Sequence, residues 1–95
     1  MKRNARLAFN ALKKIGAPVF ERADDPSQFI LSAEDRGADG RLFADNYRDE
    51  IREYVDGGGR VINAWGVRQD VRDILDRYGL MDEWINAGAT GIYPK

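Results

Sequence analysis

Two apolar stripes of helical period, each stopped by a glycine and followed by segments of strand character, constrain this chain more than any other feature. In the first stripe Leu7, Ala8, Ala11, Leu12 and Ile15 recur at i, i+1, i+4, i+5 and i+8, which is one side of a helix over roughly residues 4–15. Asn4 is a residue type that caps a helix start. Gly16 stands where a left-handed C-terminal cap belongs, and Pro18 forbids continuation. In the second stripe Val67, Val71, Ile74, Leu75 and Tyr78 predict a helix over 67–78, with Gly79 as its cap and Leu80 or Met81 able to fold back on the last turn.

Beyond each glycine the pattern changes. "PVFER" and "QFILSAE" read as two strands around the turn signal Asp25-Pro26, hence an antiparallel hairpin. "MDEWI" and "TGIYP" read as a closing hairpin around Asn86-Ala87-Gly88-Ala89. Continuation of the helix through Trp84 is the alternative for residues 80–87. Between these halves "DRGADG", residues 35–40, is a loop of turn formers. Ala44, Tyr47, Ile51, Tyr54 and Val55 predict a further helix over 44–56, which Gly57-Gly58-Gly59 ends. "VINAW" is a short buried strand or coil. At an offset of 63 positions Leu12 meets Leu75 and Gly16 meets Gly79. Two identities are too few to mark a duplication, and a helix, a glycine cap and a hairpin is a common way to lay a helix across a sheet.

The expected fold is therefore α+β, one domain over residues 1–95: a small antiparallel sheet of two hairpins packed by about three helices. Its expected core is Leu7, Leu12, Ile15, Val19, Phe29, Leu31, Ile51, Val71, Ile74, Leu75, Trp84 and Ile92. With 95 residues and 43% apolar side chains the chain can bury a core without staples.

Composition excludes much chemistry. Cysteine is absent, so there is no disulfide framework and no thiolate. Histidine is absent too, which removes the usual general base near neutral pH and the commonest metal ligand. No run approaches the roughly 18 apolar residues of a membrane span, and Met1-Lys2-Arg3-Asn4 is not followed by the apolar stretch expected of a signal peptide. A cytoplasmic protein is expected. In "DRGADGRLFADN" the residues Asp35, Asp39 and Gly40 fit three positions of a calcium loop, but Gly37 stands where an oxygen ligand is required and Asn46 where a bidentate glutamate is. A plain turn, with no metal and no cofactor, is the expectation. Gly57-Gly58-Gly59-Arg60 leaves a helix instead of entering one, so it is no phosphate loop. The paired acids Asp24-Asp25, Glu34-Asp35, Asp49-Glu50 and Asp82-Glu83 lie in turns or on polar faces, where general acid–base work is not supported. A non-enzyme is expected.

Charge offers two opposed surfaces. Residues 1–20 carry Lys2, Arg3, Arg6, Lys13 and Lys14 and no acid, although the whole chain has a net charge of −1. Arg3, Arg6, Lys13 and Lys14 could meet nucleic-acid phosphates, or pair with the acidic body. Asp45, Asp49 and Glu53 line one side of the expected middle helix, and Asp70, Asp73 and Asp76 the polar side of the last. These six could engage a basic protein groove, although interleaved arginines also suit a salt-bridged surface. Trp65, Trp84 and Tyr93 are binding anchors or core.

The segments "IGAPVFERADDPSQFILSAED" and "YGLMDEWINAGATGIYPK" resemble those of small proteins carried by bacteriophages and prophages. The likeness rests on the helix–Gly-Ala-Pro–strand opening and on Gly79, Trp84, Asn86, Gly88, Tyr93 and Pro94, and it spans about half the chain. It carries over no functional residue. It implies a class in which many members bind and redirect or inhibit a host protein, anti-CRISPR proteins among them. The expected function is thus a non-enzymatic protein-binding module, phage-encoded and inhibitory toward a host protein, acting through the six acids. The alternative is a nucleic-acid binder acting through the first helix.

Overall fold

The computed structural model describes residues 1–25, 28–47 and 66–95. In chain order these form α1 (Arg3–Lys14), β1 (Val19–Glu21), β2 (Phe29–Ser32), α2 (Gln69–Arg77), β3 (Leu80–Asn86) and β4 (Ala89–Pro94). The four strands make one antiparallel sheet of order β1-β2-β4-β3. The fold is α+β with two helices among the described residues. Residues 48–56 of the expected middle helix, its glycine stop and "VINAW" lie outside the described residues.

Each half of the chain folds as helix, strand, strand, and the second strand of each half meets at the centre. Phe29 lies opposite Ile92 and Leu31 opposite Thr90. The matched positions behave alike: Leu12 and Leu75 are buried, and Gly16 and Gly79 both take positive φ, 84° and 71°. That conformation is nearly free for glycine and costly for a residue with a Cβ. The segment after Gly79 is strand, which excludes a helix continuing through Trp84.

The sheet sorts its side chains by the period of two. Val19, Phe29, Leu31, Leu80 and Ile92 point to the face that α1 and α2 cover, and all are buried. They pack with Ala5, Ala8, Phe9 and Leu12 of α1 and with Val71, Ile74 and Leu75 of α2. Phe9 meets Phe29 edge to face, centroids 5.3 Å apart at 84°.

Several expectations are corrected. α1 starts at Arg3, with Lys2 at the N-cap and no side-chain cap; Asn4 is inside the helix. Leu7 and Ile15 are exposed, not core. At about 100° per residue Leu7 falls far from Leu12 around the helix, and Ile15 sits at the C-cap beyond the last turn. Phe9, larger than either, takes the sheet-facing place. Residues 44–47, the start of the expected middle helix, are not helical. Ala44 bridges Val67, and the Asp45 carboxylate accepts the Tyr47 N–H at 3.0 Å, a local bond that competes with helix formation. The same bridge delays α2 to Gln69, because Arg68 N–H donates to the Phe43 carbonyl at 3.1 Å. Trp84 is only partly buried against the core. Leu80 is buried while Met81 is exposed.

Candidate binding surfaces

Of the acids expected to form a binding face, those among the described residues are engaged within the chain. Arg68 grips Asp70 in a fork, Nε to Oδ1 at 3.1 Å and Nη2 to Oδ2 at 2.7 Å. Asp73 accepts the Gln69 amide at 2.9 Å, and Asp76 pairs with Lys95 at 2.9 Å across an exposed surface. Asp45 lies in the turn described above. Asp49 and Glu53 lie outside the described residues. The fold therefore brings Asp70, Asp73 and Asp76 together along α2, but cations stand among them.

Arg68 organises more than the acids. Its guanidinium is buried, reaches Asp39 of the 35–40 loop at 3.0 Å, and lies 3.8 Å from the centroid of the Phe43 ring. It thereby ties that loop to α2. Burial pushes the Asp39 carboxyl up, but the Arg41 N–H and the Arg68 guanidinium outweigh it and hold it below the ordinary carboxylate range. The sign follows: a lowered folded value contributes stability that is complete above the unfolded value near 4 and is lost as pH falls through the folded value. Urea unfolding from pH 6 downward is expected to show the wild type losing its advantage over Asp39→Asn as acid rises. A constant difference between the two across that range would contradict the assignment.

Two clefts bring adjacent acids to a surface. One, of about 350 Å³ beside β3, is lined by Arg72, Met81, Asp82, Glu83 and Trp84. There the buried Asp82 faces Arg72 at 3.5 Å, while Glu83, next along the strand, belongs to the opposite side of the sheet. The other, of about 330 Å³, includes Ser32, Glu34 and Asp35. Ser32 Oγ donates to Asp35 Oδ2 at 2.8 Å and accepts the N–H groups of Glu34 and Asp35. This closes a turn after β2, and the hydroxyl is committed to it.

The basic side chains of α1 stand differently. Arg6 pairs with Glu21 at 2.8 Å with both side chains about half exposed. Lys2, Arg3, Lys13 and Lys14 have no ion pair among the described residues. Arg6 and Lys13 flank the Phe9 ring at 5.6 and 5.4 Å from its centroid.

The largest surprise is the sheet face that neither helix covers. Phe20, Met81 and Ile85 are 48%, 39% and 45% exposed. Phe20 lies opposite Ile30, Ile30 opposite Gly91, and Met81 opposite Tyr93, so these share the open side; Ile85 sits at the irregularity between Trp84 and Asn86. Gly91 lets the Tyr93 ring lie flat on the sheet, since a Cβ there would meet ring atoms at 2.7–2.8 Å. Arg22 Nη1 donates to Tyr93 Oη at 3.0 Å while Asp24 holds the same guanidinium. These bonds, Asp24 first, raise the Arg22 value above its ordinary one. Glu34 and Asp35 stand at the other end of the face and Glu83 within it. A sequence signal for this surface exists: "FIL" and "VF" are apolar at consecutive positions, the mark of a strand covered on both sides.

No family model, curated protein or solved structure matches this chain. Among the described residues no helix is long and apolar enough to cross a membrane.

Proposed function

We propose that this chain is a non-catalytic protein-binding module whose partner presents apolar side chains ringed by basic ones. The observation that carries the reading is the open sheet face: Phe20, Met81 and Ile85 lie in water, and β1 and β2 carry apolar side chains on both sides of the sheet. Acids around this face, Glu34, Asp35 and Glu83, favour a cationic rim on the partner, and Arg22 at its edge is already held by Asp24. The likeness to small phage and prophage proteins supplies the class of partner, a host protein whose activity the module inhibits or redirects. The acids of α2 are a weaker contact surface than the open face because Arg68, Gln69 and Lys95 already occupy them.

The test is a capture from bacterial lysate followed by titration of the purified captured protein. Phe20→Glu with Met81→Glu and Ile85→Glu is expected to weaken binding at least about 100-fold, since buried anchors dominate interface energy, with the thermal midpoint preserved. Glu34→Gln with Glu83→Gln is expected to slow association at low salt by about tenfold. Unchanged affinity of the triple variant would defeat the reading. Loss of binding on replacing Asp45, Asp49, Glu53, Asp70, Asp73 and Asp76 by Asn or Gln, with the triple variant still binding, would move the contact to the acidic helical face.

A further inference from the structure

We infer that α1 is a docking face for the phosphate backbone of a nucleic-acid duplex, on the side of the molecule opposite the open sheet face. At about 100° per residue Arg3, Arg6, Leu7, Asn10, Lys13 and Lys14 fall within an arc of about 120°, and all six are exposed. The buried positions of the helix, Ala5, Ala8, Phe9 and Leu12, lie opposite. Every charged group on α1 is a cation, and no acid occurs before Glu21.

Scale favours a polyphosphate. From Arg3 to Lys14 the helix rises about 16 Å, over which one strand of a duplex presents about five phosphates. On this face Lys2, Arg3, Lys13 and Lys14 show no ion pair among the described residues, and Arg6 joins them if Glu21 releases it. Phe9 steadies two of the row, with Arg6 and Lys13 against its ring. No aromatic side chain is exposed along α1 for bases to stack on, because Phe9 is buried. Single-strand recognition depends on such platforms, so backbone contact with a duplex is the mode that fits. Of the described acids, those of α2 beside α1 are engaged, Asp70 by Arg68, Asp73 by the Gln69 amide and Asp76 by Lys95, and Glu83 points to the open sheet face on the far side. The molecule measures 24 and 23 Å across its short axes, and a charge on the far side lies beyond a Debye length of about 10 Å at 0.1 M salt. A lipid surface fits less well, since the apolar side of α1 is consumed by the protein core and cannot enter a bilayer interface.

Fluorescence anisotropy of the full chain with a labelled 20-base-pair DNA duplex, and with an RNA duplex of the same sequence, provides the test. Four phosphate contacts predict a slope near −3.6 in log K against log salt, hence affinity falling about 150-fold between 50 and 200 mM. Arg3→Gln with Lys13→Gln and Lys14→Gln is expected to flatten the slope to about −1. Glu21→Gln, which frees Arg6, is expected to tighten binding and steepen the slope by about 0.9, a gain that a folding defect cannot imitate. Arg77→Gln on α2 is the neutral control. The DNA and RNA arms identify which backbone is preferred. Absence of binding to both duplexes at 20 mM salt, indifference to the triple substitution, or binding to anionic vesicles or poly-glutamate in place of duplex would each overturn the inference.

Discussion

Phe29→Ala is expected to cost about 4 kcal/mol of folding stability. Phe29 is completely buried, sits on the inner strand β2, faces Ile92 across the ladder and meets Phe9 in a T-shaped ring pair. Truncation leaves a cavity where the two halves of the chain meet, and it also removes an aromatic pair worth about 1 kcal/mol beyond its area. Small domains hold about 5–15 kcal/mol in total, so the variant is left marginal, and its urea midpoint falls by about 3 M at a typical slope. Phe20→Ala is the informative companion. It lies on the same hairpin, one strand away, but faces the open side, and is expected to change stability by no more than about 0.5 kcal/mol. Equal losses at the two positions would contradict the assignment of covered and open faces.

The second large effect is expected at Arg68. Arg68→Ala removes a buried guanidinium that joins Asp39 to Asp70 and stacks on Phe43. The expected cost is about 3 kcal/mol, from unpaired acids and from the space left against the ring. Arg68→Lys is expected to recover less than half of this, because an ammonium neither forks onto Asp70 nor stacks flat on an aromatic face. Chemical denaturation of both variants measures the losses. Full rescue by lysine would show that only the charge matters.

The chain announced the parts of this fold that depend on single residues or short periods. Gly16 and Gly79 mark helix ends because few other residues accept their backbone angles, and both are found there. Val71, Ile74 and Leu75 face inward as their spacing requires. Asn86 to Ala89 closes the second hairpin, with Gly88 N–H bonded to the Asn86 side chain at 2.8 Å. What escaped is what depends on distant partners. Leu7 and Phe9 both fit helical spacing, and only the position of Phe29 decides which is buried. Central pairing of β2 with β4 joins residues some 60 positions apart in sequence, which no local pattern encodes. The burial of Arg68 is invisible without Phe43 and Asp39 beside it. The open face was half legible: strands apolar on both sides ask for two covers, and the described residues provide one.

Helices shelter one side of the sheet and leave Phe20, Met81 and Ile85 exposed on the other. Hydroxyl-radical footprinting of the isolated chain, read residue by residue by mass spectrometry, tests this arrangement most directly. Phe20, Met81 and Ile85 are expected to be modified at rates typical of exposed side chains, with Phe9, Phe29 and Ile92 protected. Protection of Phe20 and Met81 equal to that of Phe29 would mean that this side is already covered, and the proposed docking face would not exist.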